Sequence, residues 1–247
     1  MEIELSQTGL ALIVFAFIFG GLCKGISGIG VPVIAVPVIA DLTNIVLAIV
    51  LIAIPSVVPN IYQVWRYRKQ WNNEVNLIPL CVWAIVGSGV GIFILDSVDP
   101  SILAQILGLV LLVYILIRFL KKITLSDNTA RRMAGPAGFL SGLTGGTTGV
   151  SAPVILMYLS SIALEKSAFI FGISVYFIAM GLGQFLWLIQ AELMTFHLAY
   201  LSTLTLIPLG IGMWIGQKIG DAISKKRFDQ FIMLIMSVLG LKLLLGI

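Results

Sequence analysis

From Val75 to Leu95 the chain runs 21 residues without a charged side chain. Backbone polar groups in such a stretch, placed in hydrocarbon, must pair among themselves, and about 20 apolar residues make a helix long enough to cross a bilayer. Comparable candidate spans lie at Thr43–Trp65, Ser101–Leu120, Ser167–Gln190, Leu198–Gln217 and Phe228–Ile247. Composition agrees: 59% of the 247 residues are hydrophobic and 11% charged, against roughly 25% charged in a soluble domain. The fold class read from this is an all-α polytopic membrane protein, which excludes a soluble domain. The net charge of +4 then reads as basic loops gathered on one membrane face, not as a nucleic-acid surface. No basic region precedes the first apolar run, so a cleaved signal peptide is not expected. Cys23 and Cys81 sit in apolar runs and read as packing residues, and the single histidine, His197, argues against a His-rich metal site.

Two stretches interrupt the apolar regularity. Gly21–Ile34 reads GLCKGISGIGVPVI and Gly142–Ile155 reads GLTGGTTGVSAPVI, with seven of 14 positions identical and no gap. Downstream, Gly87, Gly91, Asp96 and Gln105 match Gly212, Gly216, Asp221 and Gln230 at one common offset. The chain therefore reads as a duplication, with a first repeat over residues 1–122 and a second over 131–247. Each repeat opens with a Gly/Pro-broken segment, Leu10–Ala40 or Met133–Ser160, and continues into three spans. At 31 and 28 residues these segments are longer than one crossing and shorter than two. That length suggests a re-entrant hairpin or a pair of half-helices meeting inside the membrane.

Charge placement sets the relative orientation of the halves. If each broken segment enters and returns, the repeats are inverted and thirteen of the 15 Lys and Arg, Arg66 through Arg227, share one face. The other face receives Glu2, Glu4, the Asp96–Asp99 loop and the Glu192–His197 loop. Lys24 and Lys242 are the exceptions, each inside an apolar segment. The expectation is an integral protein of the cytoplasmic (inner) membrane with inverted repeats and the N-terminus outside. Two full crossings per segment give the same parity, so charge leaves both forms open.

A helix break strands backbone N–H and C=O groups, which hydrocarbon does not tolerate unless the break faces a polar cavity. Pro32 and Pro153 fit the first turn of a second limb. Such limbs would aim free N–H groups and positive dipole ends at the membrane centre, an anion site. Lys24 is the local cation, in a setting where a lysine costs about 2.5–3.5 kcal/mol; its counterpart in the second copy is Gly145. The expected substrate-binding set is Lys24, Gly25, Ser27, Gly28 and Asn60 in the first half, with Thr144, Gly146, Thr147, Thr148, Ser151 and Gln184 in the second. Hydroxyls donate to an oxyanion, and glycines admit it to the backbone.

Plainer readings stand beside these. Gly, Ser and Thr at helical spacing also serve close helix packing, and Lys24 can snorkel toward a headgroup region. Asn60, Tyr62, Gln63 and Gln184 can bond between helices instead of lining a cavity. Cys23 could act as a thiolate, although a small packing residue is the commoner role. Trp65, Trp71 and Trp187 read as interfacial residues, and Asp96 and Asp221 as structural helix ends. No metal site, cofactor or catalytic residue is expected.

Two copies of a Gly-rich segment ending in Pro-Val-Ile, with Gly-x-x-x-Gly spans at Gly87–Gly91 and Gly212–Gly216, resemble the sulfite exporter TauE/SafE family over essentially the whole chain. The resemblance implies transport of sulfur-containing anions such as sulfite, sulfonates or thiosulfate, without selecting one. The expected activity is secondary transport by alternating access around a midplane site, with proton or sodium coupling left open. The partners are a small anion and the lipid bilayer. No Gly-x-x-x-x-Gly-Lys-Ser/Thr pattern is present to bind ATP. The rival readings are an anion channel and a membrane-embedded enzyme. The enzyme would want paired carboxylates or an activated nucleophile, for which Cys23 beside Lys24 is the local candidate.

Overall fold

The computed structural model describes residues 6–27, 31–70, 76–119, 124–162, 164–219 and 225–246, and every regular element among them is helical. Among the described residues, four apolar stretches are long enough to cross a membrane: Gln7–Ile26, Leu77–Ser97, Ser167–Gln190 and Phe196–Ile219. Val31–Leu42, Pro100–Leu116 and Ile232–Leu245 are shorter apolar helices. Large side chains such as Ile78, Phe93, Leu186 and Val238 point outward, as an integral membrane protein requires of its lipid-facing surface.

The two Gly-rich segments are not pairs of half-helices. Each is one full-length helix followed by a short one: α1 (Gln7–Ser27) with α2 (Val31–Leu42), and later α7 (Asp127–Thr148) with α8 (Ala152–Ser160). The reason is that most of the glycines lie inside α1 and α7, where a neighbouring helix backbone fills the space a side chain would take. The breaks are narrow. α7 ends at Gly149, whose φ of 75° is left-handed and whose N–H bonds back to the Gly145 carbonyl at 2.8 Å.

Both segments then double back. Ser141 donates its hydroxyl to the Ser151 carbonyl at 2.9 Å, although ten residues along a continuing helix would separate them by about 15 Å. Likewise a β-carbon on Gly20 would lie 3.3 Å from the Val31 backbone.

The span expected over Thr43–Trp65 is broken. It forms α3 (Ile45–Ile52), capped by the Asn44 side chain on the Leu47 N–H, and α4 (Val58–Tyr67), with an irregular turn between them. Pro55 causes the break, because it has no N–H to return to the carbonyl four residues earlier. That carbonyl, on Leu51, accepts instead from the Ser202 hydroxyl at 2.9 Å, and the same hydroxyl accepts from the Ile54 N–H at 3.3 Å.

The remaining elements are α5 (Leu77–Ser97), α6 (Pro100–Phe119), α9 (Lys166–Gln190), α10 (Phe196–Leu204), α11 (Leu206–Ile219) and α12 (Lys225–Leu245). α1 packs along α11, α7 along α5, and α6 along α12. The first two contacts are built from glycines on both sides. A β-carbon at Gly21 or Gly25 would strike the backbone of α11, and one at Gly212 or Gly216 the backbone of α1. Gly87 and Gly91 of α5 stand in the same relation to Gly138, Gly142 and Gly146 of α7. Helix axes approach this closely only where side chains are small. α3, and α2 up to Asp41 near its end, are apolar on all sides and lie in the main buried cluster, with Ala35, Val36, Ile39, Ala48, Ile49 and Ile52 shut off from the surface.

Candidate functional site

Lys24 lies in the last turn of α1, where the helix dipole favours a cation. It is 4% exposed, so it does not snorkel to the surface. Its ammonium donates to Asn60 Oδ1 at 2.9 Å and Gln63 Oε1 at 3.4 Å, both on α4. These acceptors are neutral amides, which solvate the ammonium without cancelling its charge. The Pro55 break fixes the nearer one: Asn60 Nδ2 donates to the Ser56 carbonyl at 2.6 Å, turning Oδ1 toward Lys24.

Around Lys24 the structure closes a small cavity of about 20 Å³, room for about one water molecule. Val31, at the start of α2, and Ala152, at the start of α8, both border it, together with Ser56, Asn60 and Phe177. The first turns of the two short helices thus meet at one point beside the lysine. The first N–H groups of a helix have no intrahelical acceptor, and Pro32 and Pro153 occupy those turns as the sequence suggested.

The other expected site residues divide. Gly25 and Gly146 face neighbouring helix backbones, α11 and α5 respectively. Thr144, Thr147 and Thr148 bond back to carbonyls of their own helix, Thr144 to Leu140 and Ser141, Thr147 to Leu143, and Thr148 to Thr144. Thr148 also accepts from the Val150 N–H at 3.3 Å, helping to close α7. Ser151 precedes α8, with its carbonyl held by Ser141. Gln184 is buried and donates to the Gly145 carbonyl at 3.1 Å. Gly28 lies outside the described residues, as do Glu2, Glu4, Trp71, Lys121, Lys122 and Asp221; so does the side chain of Ser27.

The chain matches the family described as sulfite exporter TauE/SafE over residues 12–243. It belongs to that family. It is accordingly a transmembrane transporter and not an enzyme, and membership implies movement of sulfur-containing anions across a membrane. No match to the chain was found among curated proteins or among solved structures.

In this TauE/SafE transporter several site features were not singled out in sequence. Ser174, on α9, donates to Gln63 Oε1 at 3.0 Å. The Tyr176 hydroxyl sits 2.6 Å from that of Ser141 and anchors the second break from α9. These pairs lie 111 and 35 residues apart, so spacing offered no signal for them. The break at Pro55 did have one, in Pro55 and Pro59 four residues apart within an apolar run. Lys242 also finds a reason: its ammonium pairs with Asp41 at 2.8 Å, joining α12 to the end of α2. Trp187 is partly exposed and donates its Nε1–H to the Ile85 carbonyl at 3.0 Å, fastening α9 to α5.

Proposed function

We propose that this protein is a secondary transporter for a small sulfur-containing oxyanion of the sulfite, sulfonate or thiosulfate class, working by alternating access around Lys24. The observation that carries the reading is the meeting of a buried ammonium with the first turns of α2 and α8 on one cavity. The first turns of two helices, with their positive dipole ends, on one cavity beside a cation suit an oxyanion and repel a metal ion. The cavity holds about one water, so a polyatomic anion must open it, as alternating access requires. The binding set in this reading is Lys24, Asn60 and the backbone of the two breaks, with Ser27, Gly28 and Ser151 close in sequence to them.

The mechanism rests on a duplicated architecture, residues 1–122 and 131–247, inverted in the membrane. Three features support it: both Gly-rich segments double back, α1 packs on α11 as α7 packs on α5, and α6 pairs with α12. With the basic loops cytoplasmic, the N-terminus is outside and the protein belongs to the inner membrane. Proton and sodium are the candidate coupling ions.

Counterflow in proteoliposomes tests the activity. Labelled thiosulfate or sulfite should enter saturably and be accelerated by unlabelled anion on the far side. Linear flux without such acceleration would mean a channel. Cysteines placed near Asp96 and near Lys225 should label from opposite faces; labelling of both from one side would refute the inversion.

A further inference from the structure

A polar seam runs away from Lys24 between α4 and α9. Asn60, Gln63 and Tyr67 recur at helical spacing along α4, with Ser56 in the turn just before it, and Ser167, Ile170, Ser174 and Phe177 recur along α9. The two rows face each other in antiparallel order. Ser56, Asn60 and Phe177 border the Lys24 cavity, and Gln63 meets Ser174 at 3.0 Å. Tyr67, Ser167 and Ile170, with Glu165, border a second and open cavity of about 490 Å³. Arg66, Arg68 and Lys69, all exposed, are the chain neighbours of Tyr67, which sets this cavity at the end of the seam nearest the basic loop, with Glu165 as the charged residue on its lining.

Between the two cavities stands Gln63. It is 8% exposed and Ser174 is wholly buried, and the Gln63 amide oxygen accepts from both Ser174 and Lys24. It is also the member of this cluster that can leave at least cost. Ser174 has one hydroxyl proton, and the Ile170 carbonyl already lies at 2.6 Å, closer than Gln63 at 3.0 Å, so the hydroxyl stays bonded when Gln63 departs. Lys24 keeps its shorter bond to Asn60. α4 is a ten-residue helix hinged at the Pro55 break, whereas α9 is 25 residues long and tied to α7 by Gln184 and to α5 by Trp187.

We propose that Gln63 is the gate between the Lys24 cavity and the basic face, and that the transported oxyanion passes along the α4/α9 seam when α4 tilts and carries Gln63 off Ser174. This rests on Lys24 as the anion site. An incoming oxyanion takes the place of the Gln63 oxygen on the ammonium, so arrival of the substrate itself loosens the gate.

The test is accessibility, which does not depend on knowing the anion. Ser174→Cys is made in protein carrying Cys23→Ala and Cys81→Ala, reconstituted in liposomes and exposed to a membrane-impermeant maleimide from each side. Labelling is expected from the basic face alone, and adding Gln63→Ala should speed it several-fold. Asn60→Cys serves as a second reporter beyond the gate, and should label from the basic face much faster once Gln63→Ala is added. Rates unchanged by Gln63→Ala, or labelling from the opposite face only, would overturn the gate. Stabilisation of the wild-type protein by thiosulfate or sulfite is measured separately. Its absence, with labelling as expected, would remove the anion reading and leave the passage standing as a route for another solute.

Discussion

The two halves of the molecule share a pattern but not a task. In the first, α1 carries Lys24, and an amide on the following span, Asn60, reaches its ammonium. In the second, the matching position is Gly145, and an amide on the following span, Gln184, reaches its backbone carbonyl. A side chain at Gly145 is crowded, since a β-carbon there would meet the end of the Met180 side chain and lie 2.9 Å from that of Ser151. The span after the first break is itself broken at Pro55, and the span after the second is one continuous helix, α9. The first half therefore supplies the charge and the hinged element, and the second supplies a helix N-terminus on a rigid frame. In the proposed reading Lys24, the buried cation among the described residues, serves both breaks because both short helices begin beside it.

The comparison can be broken most severely at what the halves have in common. Gly142→Leu on α7 and Gly212→Leu on α11 each drive a side chain into a neighbouring backbone. Overpacking an ordinary core costs about 1–3 kcal/mol, and a backbone collision has no such easy relief. Neither variant should give a monodisperse peak on size exclusion; normal yield and profile from both would show that the helix pairs are not held by these glycines.

The next effect concerns what differs. Moving the charge, with Lys24→Gly and Gly145→Lys together, should not restore anion-dependent stabilisation, because Met180 and Ser151 occupy the new site. A recovered melting shift with thiosulfate or sulfite would make the halves interchangeable and sink the division of labour. A smaller contrast is expected between the two amides. Gln184→Leu should lower the melting temperature by the loss of one net hydrogen bond, about 0.5–1.5 kcal/mol, since the Gly145 carbonyl keeps its bond from the Gly149 N–H. It should leave the anion-induced shift unchanged. Asn60→Leu should weaken that shift, having removed the group that orients Lys24. The same response from both variants would contradict the contrast.

The smallest effect is expected at Lys242→Ala. Its pair with Asp41 is 44% and 23% exposed, and such pairs contribute about 0–1 kcal/mol. A large loss of stability on thermal melting would give the pair a weight the account denies it.

The membrane class, the two helix breaks and the burial of Lys24 were legible in sequence, because each follows from a cost that hydrocarbon imposes on charge or on unpaired backbone. Pro32 and Pro153 marked the starts of the short helices for the same reason. The work of the glycines was not legible. A ligand and a neighbouring helix both need an absent side chain, and only the packing of α1 on α11 and of α7 on α5 separates them. The threonines of the second break looked like free donors, yet Thr144, Thr147 and Thr148 turn back onto their own helix, as hydroxyls in buried helices do. Ser202 and Ser174 escaped notice because each is defined by a carbonyl or amide far along the chain.

The central claim is that Lys24 holds an anion, and its most direct test is thermal melting of the purified protein with sulfite, thiosulfate, sulfate, small sulfonates, carboxylates and metal cations. A ligand at about 100 times its Kd adds roughly 2.7 kcal/mol to the folded state. The account predicts that one or a few sulfur oxyanions raise the melting temperature of the wild-type protein, that Lys24→Met folds but shows no such rise, and that Lys24→Arg keeps part of it. A rise of wild-type size in Lys24→Met, or stabilisation by cations alone, would contradict it.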